Sequence, residues 1–290
     1  MGGGIVRFQK VYLEITNVCN RSCAFCPKTR RAPAFMGEDD FTSLLDKLRP
    51  WTGFLYFHLM GEPLLHPALD RFLALAGERG FRVILTTNGT LLDRTEPLLL
   101  GAPALHKVNL SLHSFEANEG IGLEDYVNQC AAFGAKAAAR SVLVNFRLWN
   151  GDSEARTGWN AENARILDLL AGTFPRPWTP SRRGERLAER VFLDRAEIFD
   201  WPDLSAAGEN TRHGCYGLRD QIGVLCDGTV VPCCLDHEGD LPLGNLLTQD
   251  LGEILQTSRA CAMLAGFRRG EAVEELCRRC GYASRFRSTP

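Results

Sequence analysis

Three cysteines stand close together near the start of the chain, in the segment Glu14–Pro27 (EITNVCNRSCAFCP). Cys19, Cys23 and Cys26 follow the spacing C-x3-C-x2-C. Structural zinc prefers four ligands, which often come as spaced cysteine pairs. Three thiolates with no nearby histidine suit a four-iron cluster better, because each thiolate binds one iron and the fourth iron stays open. A structural zinc site is the alternative.

A second group of cysteines lies near the end of the sequence. Seven of the eleven cysteines fall between Cys215 and Cys280, from CYGLRDQIGVLCDGTVVPCC to CRRC. Four thiolates can hold zinc or an iron–sulfur cluster, so the residue types alone leave the metal open. The sequence therefore predicts a second metal site, separate from the first.

The segments between these cysteines alternate between strand-like and helix-like patterns. The predicted strands are Val11–Thr16, Phe54–Met60, Arg82–Thr87, Lys107–His113, Val142–Leu148 and Arg190–Ile198. The predicted helices are Asp40–Leu48, Pro67–Arg79, Leu91–Leu100, Leu123–Arg140 and Ala161–Leu170, with Pro97 interrupting the third. Such alternation is typical of an α/β fold with a mostly parallel sheet and outer helices. Six units favour an incomplete barrel over a closed eightfold one, with an open doubly wound sheet as the alternative.

The pattern changes in the last third of the chain. The segment Thr173–Arg190 is rich in proline and arginine, which predicts a loop or linker. After about residue 205 the cysteines dominate, with short strand-like pieces at Ile222–Leu225 and Thr229–Val231. We therefore expect two domains, 1–205 and 206–290.

Composition narrows the setting in which the protein works. The 290 residues are 45% hydrophobic and 23% charged, with a formal net charge of −2. Such a charge gives no electrostatic footprint for nucleic acid or acidic membranes. The sequence has no apolar run near the ~20 residues of a membrane helix and no signal-peptide core. We therefore expect a cytoplasmic protein with no nucleic-acid or membrane partner, whose clustered cysteines are metal or redox ligands rather than disulfides.

The first cluster carries a family resemblance. C-x3-C-x2-C after the first strand, with Phe25 before the third cysteine, resembles the radical S-adenosylmethionine (radical SAM) superfamily. The resemblance implies a partial (β/α)6 barrel in which SAM binds the open iron of a 4Fe-4S cluster. One electron then cleaves SAM to methionine and a 5′-deoxyadenosyl radical, which takes a hydrogen atom from the substrate. The implied partners are SAM, a small-molecule or peptide substrate, and an electron donor such as flavodoxin or ferredoxin.

The resemblance also assigns SAM-binding residues. The family ends its second strand in Gly-Gly-Glu, and here the strand FLYFHLM runs into Met60-Gly61-Glu62. Gly61 is expected to let the backbone approach the ligand, and Glu62 to bind the SAM amino group. Polar groups on strands four and five bind the ribose and carboxylate in this family. Ser111 and Arg147 are the candidates here, with His113 and Asn145 on the same two strands.

The second cluster resembles the SPASM/Twitch extension of radical SAM enzymes. Its carried-over features are Gly228-x4-Cys233 and the pair Gly244-Asn245. A full SPASM domain has further cysteines, and none follows Cys280 here, which points to the shorter Twitch form with one auxiliary 4Fe-4S cluster. The expected ligands are Cys215, Cys233, Cys277 and Cys280, with Cys234 as a substitute for Cys233. Zinc at the same four cysteines is the alternative.

Together these features predict a radical SAM oxidoreductase. The Twitch resemblance favours net oxidation of a small polar molecule, assisted by the auxiliary cluster. Two alternatives remain: a peptide or protein maturase, and a non-catalytic iron–sulfur or zinc protein. The short stretch before the first strand predicts no separate leader-peptide-binding domain. The sequence names no catalytic side chain.

Overall fold

The computed structural model describes residues 8–117, 120–151 and 161–286. Its strands are β1 (Lys10–Leu13), β2 (Phe54–Phe57), β3 (Arg82–Thr87), β4 (Leu105–Ser111), β5 (Leu143–Leu148), β6 (Thr179–Ser181), β7 (Gly184–Ala188), β8 (Val191–Arg195), β9 (Gln221–Val224), β10 (Thr229–Val231) and β11 (Gly244–Asn245). Its α-helices are α1 (Glu38–Leu48), α2 (Leu69–Glu78), α3 (Leu92–Gly101), α4 (Leu123–Ala139), α5 (Asn163–Thr173), α6 (Leu251–Leu255), α7 (Ser258–Arg268) and α8 (Glu275–Arg278). Short 3-10 helices cover Pro63–Leu65, Leu112–Ala117 and Gly281–Arg285.

The strands form one sheet in the order β11-β10-β9-β1-β2-β3-β4-β5-β8-β7-β6. Strands β1 to β5 and β8 pair in parallel, and helices α1 to α5 occupy the connections between them. The sheet has two edge strands, β11 and β6, so it does not close on itself. This architecture confirms the predicted six-stranded partial barrel. Because the strands are parallel, the C-terminal ends of β1, β2 and β4 lie together at one mouth of the barrel.

The outer helices pack on the sheet through apolar stripes. Helix α1 buries Phe41, Leu44, Leu45 and Leu48, the spacing of one helical face. The Phe41 ring stacks on that of Phe72 in α2, with centroids 3.9 Å apart and planes 9° apart. Such burial favours folding by roughly 1.5–3 kcal/mol per large side chain, which fixes the strands that carry the site.

The C-terminal region continues the sheet. Strand β9 pairs in parallel with β1, so that Val11 faces Ile222 and Leu13 faces Val224. Strands β10 and β11 then add in antiparallel fashion, and the turn into β10 places Gly228 at a φ of 84°. The second cysteine group is therefore attached directly to the strand that precedes the first one.

The predicted loop at Thr173–Arg190 is wrong. Strands β6 and β7 form an antiparallel hairpin there, and β7 pairs with β8. The proline-rich composition concealed the hairpin because Pro180 lies on the edge strand β6, where a strand can lack a ladder N–H. The predicted sixth parallel strand itself is present as β8.

Two further differences are local. Helix α3 runs through Pro97 without a break, so the burial of Leu92 and Leu99 outweighs the lost backbone hydrogen bond. Strand β4 ends at Ser111, and His113 lies in the following 3-10 helix rather than on the strand.

In the described ranges, no helix combines the length and apolar character that crossing a membrane requires.

Candidate functional site

A cavity of about 400 Å³ opens at the mouth of the barrel. One side consists of the loop after β1, and the deeper walls come from inward-facing residues of the strands. Every residue predicted to bind the first cluster or SAM lines this cavity: Cys19, Cys23, Cys26, Gly61, Glu62, Ser111 and Arg147. The structure therefore brings together residues that the sequence spreads over about 130 positions.

The cysteine loop is held by hydrogen bonds from several directions. The Cys26 amide donates to the Cys23 carbonyl over 3.2 Å, and the Lys28 ammonium donates to the same carbonyl over 3.2 Å. From the C-terminal half, the indole N–H of Trp201 donates to the Phe25 carbonyl over 3.1 Å. The Phe25 ring lies 4.8 Å from that of His113. Distant parts of the chain thus fix the loop that presents the three thiols.

Gly61 is required by the backbone beside it. Its φ is 75°, and a Cβ atom here would lie 2.4 Å from the Thr16 carbonyl oxygen and 2.9 Å from the Val18 carbonyl oxygen. The sequence analysis expected this glycine to leave room for a ligand. In the structure it leaves room for the backbone of the cysteine loop, which locks the Gly-Glu turn against that loop.

Glu62 is a buried carboxylate with only 2% exposure. Its Oε2 accepts a hydrogen bond from the Asn88 amide over 2.7 Å, and its Oε1 accepts one from the Leu64 amide over 3.0 Å. Burial raises its pKa to about 7, while these amides act in the opposite direction. A ligand ammonium at this point would restore the charged form that burial disfavours.

Ser111 and Arg147 are register partners on β4 and β5, at the upper level of the barrel. The Arg147 guanidinium lies over the Trp149 ring at 4.5 Å, and its buried Nε has no hydrogen-bond partner among the described residues. Burial lowers the pKa of Arg147 to about 10. An unpaired guanidinium edge at this position is suited to an oxyanion. Although His113 is off the strand, it reaches the same wall, where its Nδ1 lies 3.1 Å from the Arg147 carbonyl.

The thiols of the first cluster are well suited to cationic iron. Burial, together with the neighbouring Cys26 and Cys19, raises the pKa of Cys23 to about 12. Thiolates held together in this way repel one another unless a metal centre neutralises them. Among the described residues, no three His, Cys, Asp or Glu side chains converge on a single-ion site. Three cysteines in one loop can each bind one iron of a 4Fe-4S cluster.

A second, smaller cavity of about 40 Å³ lies in the C-terminal region. All four predicted auxiliary ligands line it: Cys215, Cys233, Cys277 and Cys280. Burial raises the pKa of Cys233, and the other three of these cysteines raise it further. Four buried thiols around one small space fit an all-cysteine cluster.

Cys234 lies in the other cavity. It lines the large cavity with β1 and β2 residues, and Tyr12 is its side-chain hydrogen-bond partner. Of the two adjacent cysteines, the geometry therefore favours Cys233 as the auxiliary ligand. The two cavities share a thin wall, to which Tyr216, Gln221, Leu235 and Tyr282 contribute on both sides.

A buried ion pair joins the parts of the site. Arg31 donates two hydrogen bonds to Glu14, over 2.6 and 2.7 Å, and Glu14 is fully buried. Glu14 also accepts from the amides of Met60 and Cys226, and Arg31 donates to the His237 carbonyl. The sequence analysis missed Glu14, although a carboxylate inside the apolar first strand was a signal for it.

Comparison with known proteins agrees with this geometry. Residues 13–130 match the family model of the radical SAM superfamily, and residues 215–281 match the SPASM iron–sulfur cluster-binding domain. The chain is 37% identical over 284 residues to a GTP 3′,8-cyclase of Chlorobaculum tepidum, covering 84% of this chain and 83% of that protein. The chain therefore belongs to the radical SAM superfamily. It is a radical SAM enzyme with SAM, a 4Fe-4S cluster and an auxiliary iron–sulfur cluster as its cofactors.

Similar proteins point to more than one chemistry. The S-adenosyl-L-methionine-dependent 2-deoxy-scyllo-inosamine dehydrogenase of Niallia circulans is 24% identical over 288 residues, covering 96% of this chain and 94% of the relative. The crystal structure of BtrN in complex with AdoMet and 2-DOIA has a TM-score of 0.61 at 22% identity, over 96% of this chain and 94% of that one. Streptococcus suis SuiB bound to its precursor peptide SuiA has a TM-score of 0.60 at 14% identity, over 95% and 71%. These structural likenesses support the fold.

Proposed function

We propose that this enzyme oxidises a small polar molecule by two electrons in the barrel cavity. When bound, SAM and its cluster supply a 5′-deoxyadenosyl radical, which takes one hydrogen atom from a substrate carbon. An auxiliary cluster held by the four C-terminal cysteines would accept the second electron, and the substrate proton would pass to solvent. The observation that carries this proposal is the thin wall that the large cavity shares with the four-cysteine cavity.

In this proposal the chain's own residues hold and orient SAM. Glu62 accepts hydrogen bonds from the SAM amino group, Arg147 pairs with its carboxylate, and Ser111 contacts its ribose. Gly61 keeps Glu62 in place through its close packing on the cysteine loop. Cys215, Cys233, Cys277 and Cys280 bind one auxiliary cluster and thereby close it to direct substrate contact.

A cavity of about 400 Å³ is in the range typical of small-molecule sites. This size favours a small substrate over the alternative, a peptide or protein segment to be matured. The proposed setting is the cytoplasm, where flavodoxin or ferredoxin would supply the electron. All eleven cysteines lie in the described ranges without a disulfide, which agrees with that setting.

The first test is iron content and SAM cleavage. We expect about eight irons per anaerobically reconstituted chain, from two four-iron clusters, and 5′-deoxyadenosine after reduction. Replacing Cys19, Cys23 and Cys26 by alanine should halve the iron and abolish cleavage. Cys261→Ala, which alters an exposed cysteine, is the matched control and should change neither value. Absence of SAM cleavage by the wild-type protein would overturn the proposal.

The second test addresses the auxiliary cluster. Cys277→Ala combined with Cys280→Ala should keep about four irons and SAM cleavage without substrate, yet form no oxidised product. Circular dichroism establishes that this variant is folded. Zinc in place of iron at this site, or normal product formation by the variant, would show that the cluster does not accept the substrate electron.

A further inference from the structure

The deep end of the barrel cavity carries two lysines that the SAM-binding residues leave unused. Lys10 begins β1 and Lys107 lies in β4, and both line the cavity. Lys107 precedes Ser111 by four residues on the same strand, about 13 Å along it. The ammonium groups therefore extend from the end of the cavity opposite the cysteine loop.

Neither lysine has a direct hydrogen-bond or ion-pair partner for its ammonium in the described part of the chain. No hydrogen bond or ion pair of either ammonium occurs there, and Lys10 lies only over the Tyr56 ring at 6.0 Å. Two carboxylates, Asp194 and Glu197, line the same cavity, and Asp194 lies at the level of Arg147 on the neighbouring strand. Glu197 is exposed, and Asp194 already accepts a hydrogen bond from Asn145 over 2.9 Å.

Burial and neighbouring positive charges make the charged form of both lysines less favourable. Burial lowers the pKa of Lys107, the positive charges of Arg147, Arg183 and Lys10 lower it further, and the Asp194 carboxylate acts in the opposite direction. Burial likewise lowers the pKa of Lys10. Cations gathered in a cavity of low dielectric constant repel one another, so a bound anion would remove an unfavourable interaction.

One wall residue of the cavity carries a buried polar atom without a partner in the described ranges. The Nδ1 of His58 on the wall of the cavity has no hydrogen-bond partner among the described residues. Burial and the charges of Arg147 and Lys10 lower the pKa of His58 to about 3, which leaves a neutral imidazole. His58 therefore adds no positive charge of its own to the cavity.

We propose that the substrate carries an oxyanion group, a phosphate or a carboxylate, which binds between Lys10 and Lys107. This inference rests on the proposed function and specifies its substrate class. The anionic end binds deep in the barrel, and the carbon to be oxidised points towards the cysteine loop. An amine such as the inosamine named for the Niallia circulans enzyme would place a positive charge against these lysines, so we infer a different substrate.

The test uses the reconstituted holoenzyme with SAM already bound, so that the probes cannot occupy the SAM carboxylate site. Calorimetric titrations at constant ionic strength compare inorganic phosphate, malonate, neutral myo-inositol and cationic glucosamine. We expect phosphate or malonate to bind, and their ratio distinguishes a phosphate from a carboxylate substrate. Lys10→Gln and Lys107→Gln should each weaken anion binding about tenfold, whereas Lys107→Arg should retain it.

Lys136→Gln is the matched control, because Lys136 forms an exposed ion pair with Glu96 on the outer helices. It should leave anion binding unchanged. Each cavity variant must also retain its iron and its SAM cleavage without substrate, which separates a lost subsite from a lost fold. Binding of neither anion, unchanged anion binding in both glutamine variants, or tighter binding of glucosamine would overturn the inference. Such results alongside intact SAM cleavage would leave the proposed function standing.

Discussion

Cys233 and Cys234 are consecutive residues whose side chains line different cavities. Cys233 lies with three other cysteines around the small C-terminal cavity, and Cys234 lines the barrel cavity, where Tyr12 is its hydrogen-bond partner. One peptide unit therefore separates the auxiliary metal site from the space in which the substrate is expected. We therefore expect different roles for these two residues, of which the sequence predicted Cys233 as the ligand and offered Cys234 as a substitute.

Alanine substitution of each of these cysteines should separate the two roles. We expect Cys233→Ala to lose the auxiliary cluster and to fall from about eight to about four irons, because a ligand is removed. Cys234→Ala should keep all eight irons, since its thiol faces the other cavity. Iron analysis and electron paramagnetic resonance of the reduced proteins measure this difference. Loss of four irons in Cys234→Ala would make Cys234 the ligand instead.

The buried carboxylate of Glu62 predicts a pH dependence of SAM binding. Its pKa is raised to about 7, so the neutral form gains as pH falls through that value, and it cannot pair with an ammonium. We expect the affinity for SAM to fall roughly tenfold between pH 7.5 and pH 6. Glu62→Gln should bind SAM with a loss of about 1.5–3 kcal/mol at pH 7.5, from the missing charge-assisted hydrogen bond.

The shape of the pH profile is the decisive readout for Glu62. Titration calorimetry with Glu62→Gln should give a flat profile, whereas Glu96→Gln, which alters a surface carboxylate on α3, should reproduce the wild-type curve. A profile for Glu62→Gln that still falls towards acid pH would assign the titration to another group.

Arg147→Met tests the remaining SAM contact. The unpaired Nε of Arg147 is suited to the SAM carboxylate, so its removal should weaken SAM binding at least tenfold. Methionine retains much of the apolar volume over the Trp149 ring, which limits structural disturbance. The glutamine variants of the two deep lysines should leave SAM affinity unchanged. Unaltered SAM affinity in Arg147→Met would remove this residue from the SAM site.

The buried ion pair between Arg31 and Glu14 predicts a large effect on stability. Arg31→Met leaves the Glu14 carboxylate buried and unpaired, which costs on the order of 3–5 kcal/mol. For a chain of this size, the thermal midpoint should fall by roughly 6 °C or more. The adjacent Arg30→Met is the control, because the Arg30 side chain is 86% exposed and pairs with Glu238 at 3.8 Å. Equal midpoints for the two variants would contradict this role of Arg31.

The sequence was sufficient for the residues whose chemistry depends on local spacing. The three cysteines after β1 form a compact loop, and the strand–helix alternation correctly predicted the six parallel strands. Glu62 was assigned through the resemblance of Met60-Gly61-Glu62 to the family's motif after the second strand, and it lines the barrel cavity. In these cases the spacing that matters lies within a few residues, so it can be recognised in the sequence alone.

Other features depend on contacts between distant segments. Gly61 is required by the Thr16 carbonyl 45 positions earlier in the chain, so no local pattern could show why it is a glycine. The choice between Cys233 and Cys234 depends on which cavity each side chain lines after the end of β10, and this cannot be read from the sequence. The hairpin of β6 and β7 was missed because its strands are short and stabilised mainly by pairing with β8.

The parallel pairing of β1 with β9 has a consequence for biosynthesis. Lys10 and Gln221, the first paired residues, are about 210 positions apart, so β1 leaves the ribosome long before its partner. At ~5–20 residues per second, its open edge waits on the order of ten to forty seconds. An unpaired strand edge is a template for aggregation during that interval. We therefore expect that slower translation prolongs the exposure of this edge, so that overproduction at reduced translation speed increases inclusion bodies.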